Sequence, residues 1–168
     1  MKSKTAFSFL FFALSLVGCG YKPTTTYTSP ILGDKIYTEV KINVKNPVDS
    51  VFLKDALNEA VVAVFDAKIE NKNYNSKIEL KVNSISISVI DYDKNGYPIL
   101  YRSKTSITAT IFDKNNLLGS YSASGSYDFS IDTNAVLSDD IKHNAIKEAF
   151  LKALQMIEFK IAQKGIKN

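Results

Sequence analysis

Cysteine occurs once in this chain, at Cys19, and histidine once, at His143. With no second cysteine there is no intramolecular disulfide, so the fold must rest on its core even in an oxidising compartment. A single histidine with no Cys/His cluster around it supplies neither a zinc ligand set nor a histidine-based triad. We read His143 as a structural polar position in the first turns of a helix. Long hydrophobic runs are also missing. Residues 6–17 are apolar except for Ser8 and Ser15, which is shorter than the roughly 20 apolar residues a bilayer core demands. An excess of one charge is missing too. Once residues 1–18 are set aside, 19 basic residues stand against 17 acidic ones, and that balance gives no case for nucleic-acid binding.

What is present begins at the amino terminus. Lys2 and Lys4 precede the apolar run, and the run closes on Leu16, Val17, Gly18 and Cys19, the layout of a cleaved export signal. Leu16-Val17-Gly18-Cys19 resembles the bacterial lipobox. That resemblance implies cleavage before Cys19, a diacylglycerol on its thiol and an acyl chain on the new amino terminus, with no other cofactor. Each buried methylene contributes about 0.8 kcal/mol, so a multiply acylated Cys19 would hold the protein at a membrane without a spanning segment. Gly20 stands where lipoproteins retained at the inner membrane often have Asp, which implies the outer membrane.

Beyond the cysteine, residues 19–34 are rich in Thr and Pro and read as an extended tether, leaving residues 35–168 as one domain. Residues 36–44 alternate, with Ile36, Val40, Ile42 and Val44 on one side of a first strand. Asn46-Pro47 breaks that strand, and Asp49 or Ser50 can cap a helix whose apolar face is Leu53, Ala56, Leu57, Ala60, Val61, Val64 and Phe65. Residues 68–77 are polar and Asn-rich, as a loop would be. Ile78, Leu80 and Val82 then fall on even positions, but Ile85, Ile87 and Val89 fall on odd ones. A period of two cannot change parity without a slip, so a bulge is predicted near Asn83-Ser84.

Lys94-Asn95-Gly96 supplies a hairpin turn. Residues 99–113 and 117–132 alternate as two further strands, joined by a turn at Asn115-Asn116. Ser138-Asp139-Asp140 starts a final helix that buries Ile146, Ala149, Phe150, Ala153, Ile157 and Ile161; Glu148 and Lys152 are spaced to pair, and Gly165 to end it. The order β-α-β-β-β-α predicts an α+β two-layer sandwich. Both helices cover one face of a four-stranded, mostly antiparallel or mixed sheet.

The other face of that sheet would carry Ser84, Ser86, Ser88, Ser106, Thr108, Thr110, Ser120, Ser122, Ser124 and Ser126. Such a surface is either simply solvated or able to lie against another polar wall without burying unpaired ions. Lys94, Arg102 and Lys104, at or just after the hairpin, read as a local positive cluster suited to phosphate or carboxylate groups. Asp91, Asp93, Asp113 and Asp128 fall at strand ends and turns, where Asp bonds locally, and no nucleophile or metal motif accompanies them. We therefore expect no enzyme.

Cys19-Gly20-Tyr21 at the mature start, the β-α-β-β-β-α order, the Lys94-Asn95-Gly96 hairpin and Ile146-Lys147-Glu148 in the last helix together resemble the LPS-assembly lipoprotein family, LptE, formerly RlpB. The resemblance implies a non-enzymatic outer-membrane subunit that plugs the β-barrel protein LptD, assists its assembly and contacts lipopolysaccharide. It makes Lys94 the leading candidate for LPS contact, with Arg102 and Lys104 beside it. Ser138 stands where a second basic position is expected. A lipid carrier with a hollow core and a structural surface lipoprotein are the alternatives.

Overall fold

The computed structural model describes residues 31–42, 47–113, 115–132 and 135–166. The export signal, Cys19 and most of the tether lie outside the described residues, as does Val44. The elements run β1 (Lys35–Ile42), α1 (Pro47–Phe65), β2 (Lys68–Ile69), β3 (Ser76–Tyr92), β4 (Pro98–Asp113), β5 (Asn116–Ser130) and α2 (Asp139–Ile166). The sheet order is β2-β1-β3-β4-β5. β1 is parallel to both β2 and β3, while β3, β4 and β5 form an antiparallel meander. This is the expected α+β sandwich with one strand more than expected.

The extra strand lies inside the segment read as loop. After α1, Asp66 takes φ 49°, and the chain returns along β1 so that the Lys68 amide donates to the Asp34 carbonyl and the Glu70 amide to the Ile36 carbonyl, both at 2.9 Å. Two residues carry no periodicity, so this strand leaves no mark in the sequence pattern. α1 also begins earlier than the cap reading placed it. Pro47 is its first residue, where the missing amide hydrogen costs nothing, so Asp49 and Ser50 stand inside the first turn.

The helices bury the faces that their spacing predicts. Ala56, Ala60, Val61, Val64 and Phe65 from α1 and Ala149, Phe150, Ala153, Leu154, Ile157 and Ile161 from α2 are buried, as are Ile36, Ile78, Leu80, Val82, Ile107, Ala109 and Ile111 from the strands. Leu32, assigned by composition to the tether, is buried in the same core. Ser138 caps α2, its hydroxyl accepting the Ile141 amide at 3.4 Å and its carbonyl the Lys142 amide at 3.1 Å. Asp139 and Asp140 in the first turn suit the helix dipole. The His143 ring stacks on Phe52 with centroids 4.2 Å apart, joining the first turns of the two helices.

Two details of α2 differ from expectation. It runs through Gly165 to Ile166, and Lys152 lies over the Tyr127 ring, 5.2 Å from its centroid, rather than pairing with Glu148.

The parity change resolves as a bulge. Pairing passes from Val82 opposite Ile107 to Ser84 opposite Ser106, leaving Asn83 as the extra residue. That single insertion keeps Ile85 and Ile87 on the helix side and turns Ser84, Ser86 and Ser88 outward. Farther across the sheet Gly125, opposite Thr105, is buried beneath α2. A Cβ there would overlap the Ala149 carbonyl oxygen and the Ala153 nitrogen. Only glycine lets this helix lie so close to the strand.

Candidate functional site

The meander puts its outward hydroxyls into cross-strand rows. Ser84, Ser106 and Ser124 share one row; Thr108 faces Ser122, and Thr110 faces Ser120. Within these rows the Thr108 and Ser122 hydroxyls lie 2.8 Å apart and those of Thr110 and Ser120 3.3 Å apart. Asn83, the bulge residue, donates to the Thr108 hydroxyl at 2.9 Å. A hydroxyl has one donor and two acceptor sites, so each one held in such a row keeps capacity for a further partner. The strands therefore present a flat, partly preorganised hydrogen-bonding surface, with Lys81 beside Thr108 and Glu79 beside Thr110 at its β3 side.

Farther along, the face gains charge, and at Arg102 that charge is neutralised where it arises. Arg102 lies between Ser88 and Asp128 in register, and its guanidinium grips that carboxylate with two bonds, 2.6 Å from Nε and 2.7 Å from the terminal nitrogen. The bonded Arg102 guanidinium holds the Asp128 carboxyl below the usual carboxylate range, helped by the charges of Arg102 and Lys152. Lys104 lies exposed between Ser86 and Ser126. Lys94 sits apart from both, in the turn beyond the last paired residues, Tyr92 and Pro98. In that turn Gly96 takes φ 84°, and Asp93 accepts the amides of Asn95 and Tyr97 at 2.9 and 2.8 Å. The structure thus brings Arg102 and Lys104 to the hydroxyl face and leaves Lys94 at the hairpin tip. Cys19 lies outside the described residues.

The β1–β3 corner of the same face holds a network that sequence reasoning missed. Glu39 and Glu79 are neighbours in the parallel register, and two lysines bridge them. Lys77 Nζ is 2.8 Å from Glu39 and 2.7 Å from Glu79, while Lys41 is 3.2 Å from Glu79 and 3.6 Å from Glu39. Hydrogen bonds from Lys77 push both carboxyls below their ordinary range, and bonds to the carboxylates raise both lysines. Lys77 also stands about 6 Å from the ring centroids of Tyr37 and Phe112. The alternation of the strands turns these residues outward, but only the strand order makes them neighbours.

The local bonds of Asp91 and Asp93 match the turn chemistry expected of them. Among the described residues no three His, Cys, Asp or Glu side chains gather into a set able to hold a metal ion. No helix among them is long and apolar enough to cross a membrane.

No protein-family model matches the chain, and no curated protein matches it either. Solved structures do. The chain is similar to a candidate lipoprotein from Caulobacter crescentus, with a TM-score of 0.53 and 11% identity over 86% of this chain and 97% of that one. The fold is shared. A minor lipoprotein from Acinetobacter baumannii aligns at a TM-score of 0.46, with 13% identity over 78% and 94% of the two chains. Rare lipoprotein B from Shewanella oneidensis aligns at 0.39, with 8% identity over 79% and 91%.

Proposed function

We propose that this chain is an envelope lipoprotein, anchored through Cys19 in the outer membrane, that acts without catalysis as plug and assembly subunit of an LPS-exporting β-barrel of the LptD type and contacts LPS. The observation that carries the reading is the outward face of β3, β4 and β5, ten hydroxyls spread over registered strands with its one arginine already bonded to Asp128 and Lys81 and Lys104 as exposed charges among them. A barrel lumen is itself lined by polar side chains. A hydroxyl surface exchanges hydrogen bonds with such a wall without stranding an ion, whereas unpaired charges would pay a desolvation cost of several kcal/mol each. The fold shared with the Caulobacter candidate lipoprotein and the Leu16 to Cys19 pattern support the anchored location.

In this reading Lys94, exposed at the hairpin tip, is the first basic group to meet an LPS phosphate, and Lys104 follows from within the face. Arg102 contributes less, because its fork is spent on Asp128. The lipid-carrier alternative gains no support from the cleft of about 250 Å³ between α1 and α2. Glu59, Lys147 and Glu148 line it, with Lys147 bonded to Glu59 at 2.7 Å, and an acyl chain would leave those charges poorly solvated.

The test is affinity purification of the lipidated protein from gently solubilised outer membranes. Recovery of a large β-barrel at near-equal stoichiometry is expected. Recovery of the intact lipoprotein alone would overturn the plug reading.

A further inference from the structure

We propose that residues 124–130, the distal half of β5, form a pairing edge through which two copies of this chain join antiparallel into one continuous sheet. This surface is the rim of the sheet, sharing only Ser124 and Ser126 with its hydroxyl face, and the pairing is that of the chain outside a barrel lumen, so its test is separate from that of the barrel reading.

Among the described residues β5 is the last strand of the sheet and has a neighbour on one side only. The direction of its backbone groups follows from three hydrogen bonds. The Ile131 amide donates inward to the Ile99 carbonyl at 3.1 Å, whereas the Ser122 and Leu118 carbonyls accept from Lys160 and Lys164 at 2.5 and 2.9 Å, outside the ladder. Antiparallel alternation then turns the amides and carbonyls of Ser124, Ser126, Asp128 and Ser130 outward as well. All four residues are exposed.

Natural sheets commonly block such edges with lysines, bulges or proline. Here one half is blocked and the other is not. Lys152, Met156, Lys160 and Lys164 stand at successive four-residue steps on α2, one row along the side that faces β5. Lys160 and Lys164 cover the proximal carbonyls. At the next step the row has Met156, which is 49% exposed, and Lys152 is held over the Tyr127 ring. The β4–β5 register runs without a shift from Leu100 opposite Ser130 to Ile111 opposite Gly119, so no bulge twists the open half away.

A strand added here needs small polar side chains on the outer side and apolar ones on the inner side, beside Tyr127, Phe129 and Met156. Residues 124–130, Ser-Gly-Ser-Tyr-Asp-Phe-Ser, are themselves such a strand. With Tyr127 on the two-fold axis, Ser126 faces Asp128 of the second copy and Ser124 faces Ser130, so hydroxyls meet a carboxylate and each other. Phe129 faces the gap at Gly125 of the second copy. A register that placed Asp128 opposite itself would set like charges together and is disfavoured.

The experiment measures the mass of the full lipidated chain in mild detergent by analytical ultracentrifugation. A dimer is expected. Met156→Lys, which completes the lysine row, and Ser126→Pro, which removes an outward amide and the Ser126 hydroxyl but no β4–β5 ladder bond, should each raise its dissociation constant about tenfold or more with unchanged circular dichroism. Mild oxidation should link Tyr127→Cys chains to each other but not Tyr121→Cys chains in the guarded half. A chain that stays monomeric at about 100 μM, well above the micromolar range of specific pairing, overturns the proposal. So does a dimer indifferent to both substitutions, or a Tyr127→Cys chain that links to a different protein in oxidised envelopes; the last result would give the edge to a foreign strand.

Discussion

On the helix side of β4 the hydroxyls of Ser103 and Thr105 are fully buried and find no partner among the described residues. On the other side of the same strand the hydroxyls of Thr108 and Thr110 lie in cross-strand rows with Ser122 and Ser120. The same chemical group has opposite meanings on the two sides. Inside, shape counts and a hydroxyl without a partner is a cost. Outside, folding gains little from these residues, which leaves their identity open to whatever the face touches.

The sharpest way to break this comparison is volume. Gly125→Val drives a branched side chain into the backbone of α2 and should lower stability by about 3 kcal/mol or more in urea unfolding. Ser124→Val, one residue away on the outer side, should change it by less than about 0.5 kcal/mol. Equal effects would mean that the two sides are not distinct.

A second effect comes from charge on the buried side of α2. Glu158 is buried with one carboxyl oxygen that finds no partner among the described residues, and burial pushes its pKa up. The native state therefore binds its proton more tightly than the unfolded chain does. Its contribution is full below the ordinary carboxylate range and is lost as pH rises through the raised value. Unfolding followed from pH 4 upward should show that loss, and Glu158→Gln should remove it.

Smaller still, Thr105→Val replaces the unpartnered hydroxyl with a methyl of similar shape and should stabilise by about 1 kcal/mol. The matching outer change, Ser122→Ala, should alter stability by no more than about 0.5 kcal/mol while weakening recovery of a partner barrel. If Ser122→Ala instead destabilised the isolated protein more than Gly125→Val, the outer rows would be part of the folding core.

Sequence reasoning located the meander and its faces because alternation records which side each residue takes, and it placed the bulge because parity must slip somewhere. Gly125 passed unnoticed. A glycine on the inward side of an alternating strand does not announce what lies above it, and the close approach appears only once α2 is docked. The Glu39, Lys77 and Glu79 network and the Arg102–Asp128 fork were hidden for a related reason, since each joins strands whose order and register the sequence pattern leaves open. The basic cluster looked tighter in the sequence than it is, because Lys94 and Lys104 are separated by the turn and by several paired positions of the hairpin.

The outer hydroxyl face is the surface proposed to meet a barrel. Photo-crosslinking in living cells addresses it directly, with a photoreactive side chain placed at Ser106 in the middle of that face or at Gln155 on the exposed side of α2. Crosslinks from Ser106 to a large outer-membrane β-barrel, and none from Gln155, are the predicted result. Crosslinks from Gln155 alone, or from neither position, would contradict it.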